Sequence, residues 1–198
     1  MHADDIAHEK ATLRLRSRAA RRGVVPDARV AAAEAIAERV LALPEIEATR
    51  GALLYGAAPE EVDPATLEQA LRNRGVRVAY PRVAGPHLLT LHWIDDTAWL
   101  IGGSFGLREP APAAPVAAVT DIDIAIVPGV AFDERGGRLG FGGAYYDALL
   151  AGLGPHALSV GVAFDEQVVE ACPAEEHDRA VDVLVTPTRT VRCTTRRP

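Results

Sequence analysis

Short apolar runs alternate with longer amphipathic stretches along most of the chain. Runs at 52–55, 122–127 and 181–185 are mostly aliphatic, which is typical of strands buried on both faces of a sheet. The runs at 76–80 and 157–163 also predict strands, as does the run at 88–94, which alternates less clearly. Strands separated by helices predict an α/β fold, with a parallel or mixed central sheet and helices on both faces.

Helix signals fill the spaces between these runs. Ala and Ile recur at helical spacing over 27–43, with Asp27 as the predicted N-cap and Pro44 as the stop. Asp63 and Pro64 predict the start of another helix, and Gly75 predicts its end. The Ala- and Pro-rich segment 110–115 is interpreted as a connector, so residues 1–198 are predicted to form a single domain.

Composition narrows the function classes. The chain has 198 residues and a formal net charge of −6, which argues against a general nucleic-acid binder. No window holds 18 consecutive apolar residues and no apolar signal-peptide core is evident, so we expect no membrane partner and a cytoplasmic protein. Cys172 and Cys193 are far apart and form no metal-ligand pattern, which favours reduced thiols.

The most informative segment follows the apolar run that ends at Val127. Five glycines lie between Gly136 and Gly143, with Arg138 among them and Asp147 shortly after. Glycines let backbone N–H groups turn toward an anion, and a following helix N-terminus adds partial positive charge. A nearby carboxylate suits a divalent metal that bridges phosphate oxygens. This combination predicts a nucleotide-phosphate site.

Basic residues are concentrated near the N-terminus. Lys10 is the only lysine, and positions 10, 14, 18 and 21 share one helical face without an acidic residue before Asp27. A solvated basic face explains this pattern as well as a binding face does. No Gly precedes a Lys, which excludes a P-loop, and Tyr145 stands where a dinucleotide-binding fingerprint needs its third Gly.

Residues 128–147 resemble the signature of the 5-formyltetrahydrofolate cyclo-ligase family. The matching positions are Pro128, Gly129, Phe132, Asp133, Gly136, Arg138, Leu139, Gly140, Gly142, Tyr145, Tyr146 and Asp147. Phe141 stands where the family usually has Arg, and Ala144 stands where it usually has Gly. The resemblance extends from Lys10 to Pro187, and it implies specific roles for residues along the chain.

The resemblance implies that ATP phosphates are bound by the first helix and the glycine segment. The implied ATP-binding residues are Lys10, Arg14, Arg138, Leu139, Gly140, Phe141, Gly142, Gly143, Ala144, Tyr145 and Tyr146. The implied contacts of a reduced folate are Tyr55, Gly56, Glu61 and Tyr146, with Glu61 on the pterin. Arg138 and Tyr146 are the implied catalytic residues, and Asp147 and Asp178 the implied Mg²⁺ ligands.

The implied reaction is ATP-dependent cyclisation of 5-formyltetrahydrofolate to 5,10-methenyltetrahydrofolate, by a monomer or weak dimer. Two alternatives stay open: an ATP-dependent enzyme acting on another substrate, and a paralogue that binds nucleotide or folate without cyclisation. The residues add local alternatives. Glu61 also fits an ordinary acid at a helix start. One of Tyr145 and Tyr146 is expected to pack while the other lines the site. Arg135 or another cation could compensate for the missing cation at Phe141.

Overall fold

The computed structural model describes residues 3–96 and 99–194. The helices are α1 (Ala3–Gly23), α2 (Pro26–Leu41), α3 (Ala65–Asn73) and α4 (Tyr145–Gly152). The strands are β1 (Gly51–Leu53), β2 (Arg77–Gly85), β3 (Leu88–Trp93), β4 (Leu100–Gly102), β5 (Arg108–Pro110), β6 (Val116–Ala117), β7 (Ile124–Val127), β8 (Ala131–Asp133), β9 (Arg138–Leu139), β10 (Leu158–Val162), β11 (Val168–Val169), β12 (Val183–Val185) and β13 (Thr190–Arg192). Within the described residues, no helix is long and apolar enough to cross a membrane.

Eight strands form the central sheet, in the order β13-β12-β10-β7-β1-β2-β3-β6. The five strands from β12 to β2 are parallel to their neighbours, whereas β13, β3 and β6 are antiparallel additions at the two edges. The predicted α/β fold is therefore confirmed, and its sheet is mixed. Because parallel strands end at the same edge, the loops after β1, β2 and β7 meet there.

Alternate residues of the central strands face two separate apolar layers. In β1 and the residue after it, Ala52 and Leu54 pack with α2 and α3, whereas Leu53 packs with Leu149 and Leu150 of α4 on the other face. This two-sided burial explains why the strands are almost purely aliphatic. It also confirms the prediction of helices on both faces.

The predicted helix starts differ from the structure by a residue or two. Val25 is the N-cap of α2 and Pro26 follows it, so the prediction that Asp27 is the N-cap is wrong, and Asp27 lies in the first turn. Pro64 is the N-cap of α3, although the Asp63 carboxylate accepts a hydrogen bond from the Ala65 N–H at 3.0 Å. In both cases the proline fixes the φ angle where the helix begins.

The strand predicted to end at Tyr80 continues through Pro81 to Gly85. The Ala79 carbonyl accepts from Leu54 on the β1 side, and the Val78 carbonyl accepts from Ile94 on the β3 side. Since hydrogen-bonding direction alternates along a strand, the nitrogen of Pro81 faces the β1 side, beyond the point where β1 has ended. Pro81 therefore removes no ladder hydrogen bond, which explains why the strand tolerates it.

The glycine-rich segment is more ordered than a single loop. It contains β8 and β9, which pair as a hairpin, followed by residues 140–144 that lead into α4. Ala144 is the N-cap of α4 and has φ 51° and ψ 15°, in the left-handed region. A side chain at such a position is strained, because Cβ crowds the backbone there.

We expect Ala144→Gly to stabilise the protein. Glycine removes the backbone strain of an alanine in the left-handed region, and this gain is larger than the loss from the added entropy of the unfolded chain. The free energy of unfolding should therefore rise by roughly 0.5–1 kcal/mol. Ala148 lies exposed in α4, where Gly has no such advantage. Ala148→Gly should therefore lower the same quantity by about 0.5–1 kcal/mol. Urea unfolding of the two variants measures both changes, and equal signs would contradict the strain at Ala144.

Candidate functional site

A cavity of about 550 Å³ lies where the loops after β1 and β7 meet α1 and the start of α4. Every residue that the sequence assigned to the site lines this cavity. They are Lys10, Arg14, Tyr55, Gly56, Glu61, Arg138, Leu139, Gly140, Phe141, Gly142, Gly143, Ala144, Tyr145, Tyr146, Asp147 and Asp178. Residues up to 168 positions apart in sequence thus share one space.

Lys10 lines the cavity and is 6% exposed. Its Nζ atom donates to Glu175 Oε2 at 2.7 Å and to Asp178 Oδ2 at 2.5 Å. Burial alone would lower the pKa of Lys10, but the hydrogen bonds and charges of these carboxylates raise it above its usual value. The interpretation of this helix face as merely solvated is therefore wrong at Lys10.

Arg14 lies one turn further along α1 and contacts the glycine segment. Its Nε atom donates to the Gly140 carbonyl at 2.9 Å. Gly142 has φ 102°, and a Cβ atom there would lie 3.7 Å from Arg14 Cζ. The glycine accommodates a backbone turn that other residues adopt with strain. The Arg14 side chain and the glycine segment together form a wall of the cavity that carries positive charge and exposes backbone groups.

Arg138 forms the floor beside the start of α4. Its Nη2 atom donates to Asp147 Oδ1 at 2.7 Å, and this oxygen also accepts from the Arg179 N–H at 3.1 Å. The Arg138 guanidinium lies 5.8 Å from the centre of the Tyr146 ring. The cation and carboxylate are nearly buried, with 3% and 13% of their side chains exposed, so their pairing is weakly screened by solvent.

Asp147 and Asp178 both face the cavity, and their chemistry fits a magnesium ion. Within residues 3–96 and 99–194, no cluster of three or more His, Cys, Asp or Glu side chains is arranged to hold a metal. Mg²⁺ commonly needs fewer protein ligands, since it retains waters and binds substrate phosphates beside one or two carboxylates. Asp147 forms an ion pair with Arg138, and Asp178 forms one with Lys10. Ligand phosphates that attract those cations would leave carboxylate oxygens for a metal.

Glu61 also lines the cavity and is buried. Its Oε2 atom accepts from the Ala58 N–H at 2.9 Å, and its Oε1 atom accepts from Arg21 at 3.4 Å. Burial raises the pKa of Glu61, and these two donors oppose that shift. The residue is 9% exposed and precedes α3 by four positions. The interpretation of Glu61 as an ordinary helix-start acid is therefore wrong.

Both tyrosines at the start of α4 line the cavity, so the prediction that only one of them does is wrong. Tyr145 lies over Gly143, where a Cβ atom would be 2.6 Å from its ring. Tyr146 packs against both apolar layers as well. Burial and the charge of Glu61 raise the pKa of Tyr146 well above its usual value, so it retains its proton.

Three buried side-chain atoms in the described part of the chain have no hydrogen-bond partner: Arg21 Nε, Arg138 Nε and Tyr146 Oη. Arg138 and Tyr146 line the cavity, and Arg21 contacts Glu61 behind it. Buried polar groups are normally paired, so unpaired ones point to a missing ligand or water. Their concentration around one cavity marks it as a binding site.

A search for similar proteins gives a consistent result. The model of the 5-formyltetrahydrofolate cyclo-ligase family matches residues 6–187. The chain belongs to this family. It is 31% identical over 172 residues to a probable 5-formyltetrahydrofolate cyclo-ligase of Schizosaccharomyces pombe, covering 79% of this chain and 84% of that one. It is 30% identical over 174 residues to the Escherichia coli K12 5-formyltetrahydrofolate cyclo-ligase, covering 85% and 95%.

The structure is similar to the solution structure of the 5,10-methenyltetrahydrofolate synthetase of Aquifex aeolicus. The TM-score is 0.82 at 34% sequence identity, and the match covers 96% of this chain and 95% of that one. The resemblance noted in residues 128–147 is thus confirmed as family membership along almost the whole chain.

The two departures from the family signature have different structural settings. Ala144 adopts a left-handed conformation, for which the family's usual Gly is better suited. Phe141 is 55% exposed, and its ring centre lies 5.9 Å from Arg18 Cζ and 5.5 Å from Arg21 Cζ. Arg135 does not line the cavity and lies 3.7 Å from Asp133. Cations near Phe141 therefore come from α1, and the expectation that Arg135 compensates is not supported.

The apolar residues that line the cavity from the β2–β3 ribbon gave no signal in the sequence. Pro81, Val83 and Leu89 form an apolar wall from the β2–β3 ribbon, and Leu107 extends it. Their pattern does not differ from that of ordinary buried strands, so the sequence could not assign them to a cavity. The remaining unassigned lining residues are Ala7, Ala58, Arg108, Glu109, Pro128, Glu175 and His177.

Asp133 fixes the hairpin that precedes the glycine segment. Its Oδ1 atom accepts from the N–H groups of Arg135 and Gly137, both at 2.9 Å, and its Oδ2 atom accepts from the Cys172 N–H at 2.8 Å. The residue is 2% exposed. A carboxylate suits this position because it can accept hydrogen bonds at both oxygens without carrying a donor.

We expect Asp133→Asn to destabilise the protein by roughly 1–3 kcal/mol, because the amide NH₂ would face a backbone N–H and leave it unpaired. Asp121 is an exposed carboxylate, so Asp121→Asn provides the matched control, with an expected change below about 0.5 kcal/mol. Unfolding in urea gives both values. A loss for Asp133→Asn no larger than the control would refute the structural role of this carboxylate.

Proposed function

We propose that this protein catalyses the ATP- and Mg²⁺-dependent cyclisation of 5-formyltetrahydrofolate to 5,10-methenyltetrahydrofolate, with release of ADP and phosphate. The observation that carries the proposal is that two kinds of charged group line one cavity. Lys10, Arg14 and Arg138 supply cations beside the glycine segment, and Glu61 supplies a buried carboxylate. Such a cavity suits a phosphate-bearing substrate beside a neutral heterocycle with N–H donors.

Cationic side chains and backbone N–H groups of the glycine segment would bind the triphosphate. The start of α4, at Tyr145, adds partial positive charge on the same side. Arg138 is held nearly rigid by Asp147, so it can stabilise charge on a transferring phosphoryl group without reorganising. We assign Arg138 the catalytic role on this ground.

Glu61 would accept hydrogen bonds from the pterin edge, since a carboxylate accepts at both oxygens. Tyr55 and Gly56 line the same cavity. A Cβ atom on Gly56 would lie 2.5 Å from the Arg108 carbonyl, so only glycine fits between these segments. The apolar wall of Val83, Leu89 and Leu107 would cover the less polar part of the substrate.

The chemistry requires positioning more than a protein nucleophile. The formyl oxygen of the substrate attacks the γ-phosphoryl group, and ADP leaves with the electron pair of the broken P–O bond. Nitrogen 10 then adds to the activated carbon, which closes the ring, and its proton passes to solvent. Phosphate leaves with the electron pair of the C–O bond, which gives the methenyl product. Holding the formyl oxygen and the phosphoryl group together in an enclosed cavity supplies much of the acceleration. The Tyr146 hydroxyl is buried and has no hydrogen-bond partner among the described residues, which supports a role in hydrogen-bonding a substrate atom.

Asp147 and Asp178 are the residues that would hold Mg²⁺. The ion would neutralise phosphate charge when bound. The residues themselves set its surroundings, because both carboxylates line the cavity and each already faces a fixed cation.

The test is a direct assay of the purified protein with 5-formyltetrahydrofolate and Mg-ATP. We expect equal amounts of methenyltetrahydrofolate, followed by its absorbance, and of ADP. Chelation of divalent metal should abolish both. ATP binding without either product would favour a non-catalytic binding protein, and ADP release only with a different acceptor would favour another substrate.

We expect Tyr146→Phe to lower kcat/KM about tenfold, which corresponds to the loss of one hydrogen bond to substrate. The variant should be no less stable than the parent, because the hydroxyl has no protein partner among the described residues. Tyr80→Phe is the matched control. The Tyr80 hydroxyl donates to Glu68 at 2.7 Å outside the cavity, so this variant should lose stability but retain kcat/KM. Full activity of Tyr146→Phe would remove its catalytic assignment.

A further inference from the structure

Arg21 is a buried cation of α1 that does not line the cavity. It is 2% exposed and lies behind Glu61. Its Nη1 atom donates to Glu61 Oε1 at 3.4 Å, and its Nη2 atom lies 3.7 Å from Glu60 Oε2. A guanidinium presents several donors in a fixed plane, so it can hold two neighbouring carboxylates in a defined arrangement.

The Glu61 carboxylate is fixed from two directions. Arg21 contacts Oε1 from α1, and the Ala58 N–H donates to Oε2 at 2.9 Å from the loop after β1. Each oxygen thus has one protein donor and retains further acceptor capacity. The plane of the carboxylate is set before any ligand arrives, which reduces the entropy lost on binding.

Phe141 covers the same arginine on another side. Its ring centre lies 5.5 Å from Arg21 Cζ, within the range of a cation–π contact. The ring comes from the glycine segment, so the Arg21 guanidinium lies between this segment and Glu61. An apolar cover of this kind excludes water and strengthens the attraction between Arg21 and Glu61.

We propose that Arg21 is a positioning residue that orients Glu61 and balances its charge, so that Glu61 can accept N–H donors from the pterin. The inference deepens the proposed function and rests on it. Arg21 itself touches no substrate in this account. It acts through Glu61, so its main effect is on folate binding rather than on ATP binding.

The proposal implies a particular pH dependence. The groups around Glu61 are Arg21 from α1, Glu60 from its own loop, Tyr55 after β1 and Tyr146 from α4. Burial already raises the pKa of Glu61, and Arg21 opposes this shift. Without Arg21 the pKa rises further, so Glu61 is protonated at a higher pH. The acidic limb of folate binding should then move toward neutral pH, and binding should recover as pH increases.

The experiment compares the unaltered protein with Arg21→Met, Arg21→Lys and Arg16→Gln. Arg16 is an exposed arginine on the same helix, so it controls for the lost charge. KM for 5-formyltetrahydrofolate and for ATP is measured from pH 6 to 9, and calorimetry gives the Kd of the folate without ATP. We expect Arg21→Met to weaken folate binding by about 10- to 100-fold near pH 7 and less at pH 9. KM for ATP should change less than about twofold, as should all values for Arg16→Gln.

Arg21→Lys retains the positive charge, so it still tests the proposal if Arg21→Met fails to fold. It should retain the parental acidic limb while weakening folate binding, since an ammonium lacks the planar fork. Unchanged folate affinity in both variants, or an equal rise in the two KM values, would overturn the positioning role. If the unaltered protein neither binds nor converts 5-formyltetrahydrofolate, the proposed function is wrong, and the inference about Arg21, which rests on it, is wrong as well.

Discussion

The attachment of α1 by charged side chains is the interaction on which the site depends. Lys10 pairs with Glu175 and Asp178, Arg14 donates to the Gly140 carbonyl, and Arg21 contacts Glu61. Three cations of one helix thus hold the C-terminal segment, the glycine segment and the loop after β1. Buried ion pairs contribute little net stability, because desolvation offsets their attraction, but breaking one leaves an uncompensated charge. Their value here is the placement of cations around one cavity.

The same contacts link helix docking to ligand binding. A phosphate that takes Lys10 or Arg138 as its partner competes with Asp178 or Asp147 for that cation. Lys10 and Arg138 are therefore neutralised by carboxylates, so a phosphate would replace existing ion pairs at these two cations rather than bind a bare positive surface. This arrangement fits a chain whose net charge is −6, since the local cations are not exposed as a general attractor for polyanions.

The sequence predicted the central sheet well because its strands are buried on both faces, which gives continuous aliphatic runs. It did not predict β8, β9 or the extension of β2, because these depend on contacts made by distant residues. Pro81 is an example, since its place in a strand becomes understandable only when β1 is known to end beside it. The site residues of the glycine segment were recognisable from their spacing. Val83 and Leu89 were not, because apolar residues that line a cavity have the same pattern as those in a core.

The proline in β2 has a further consequence for solubility. Where β2 and β3 continue beyond β1, no described strand pairs with the side of β2 that faces away from β3, and unpaired strand edges can recruit strands from other molecules. Pro81 offers no N–H on that side, so a foreign strand could not complete a regular ladder there. Pro81 thus lines the cavity and also prevents regular strand pairing at the edge of β2 beside it.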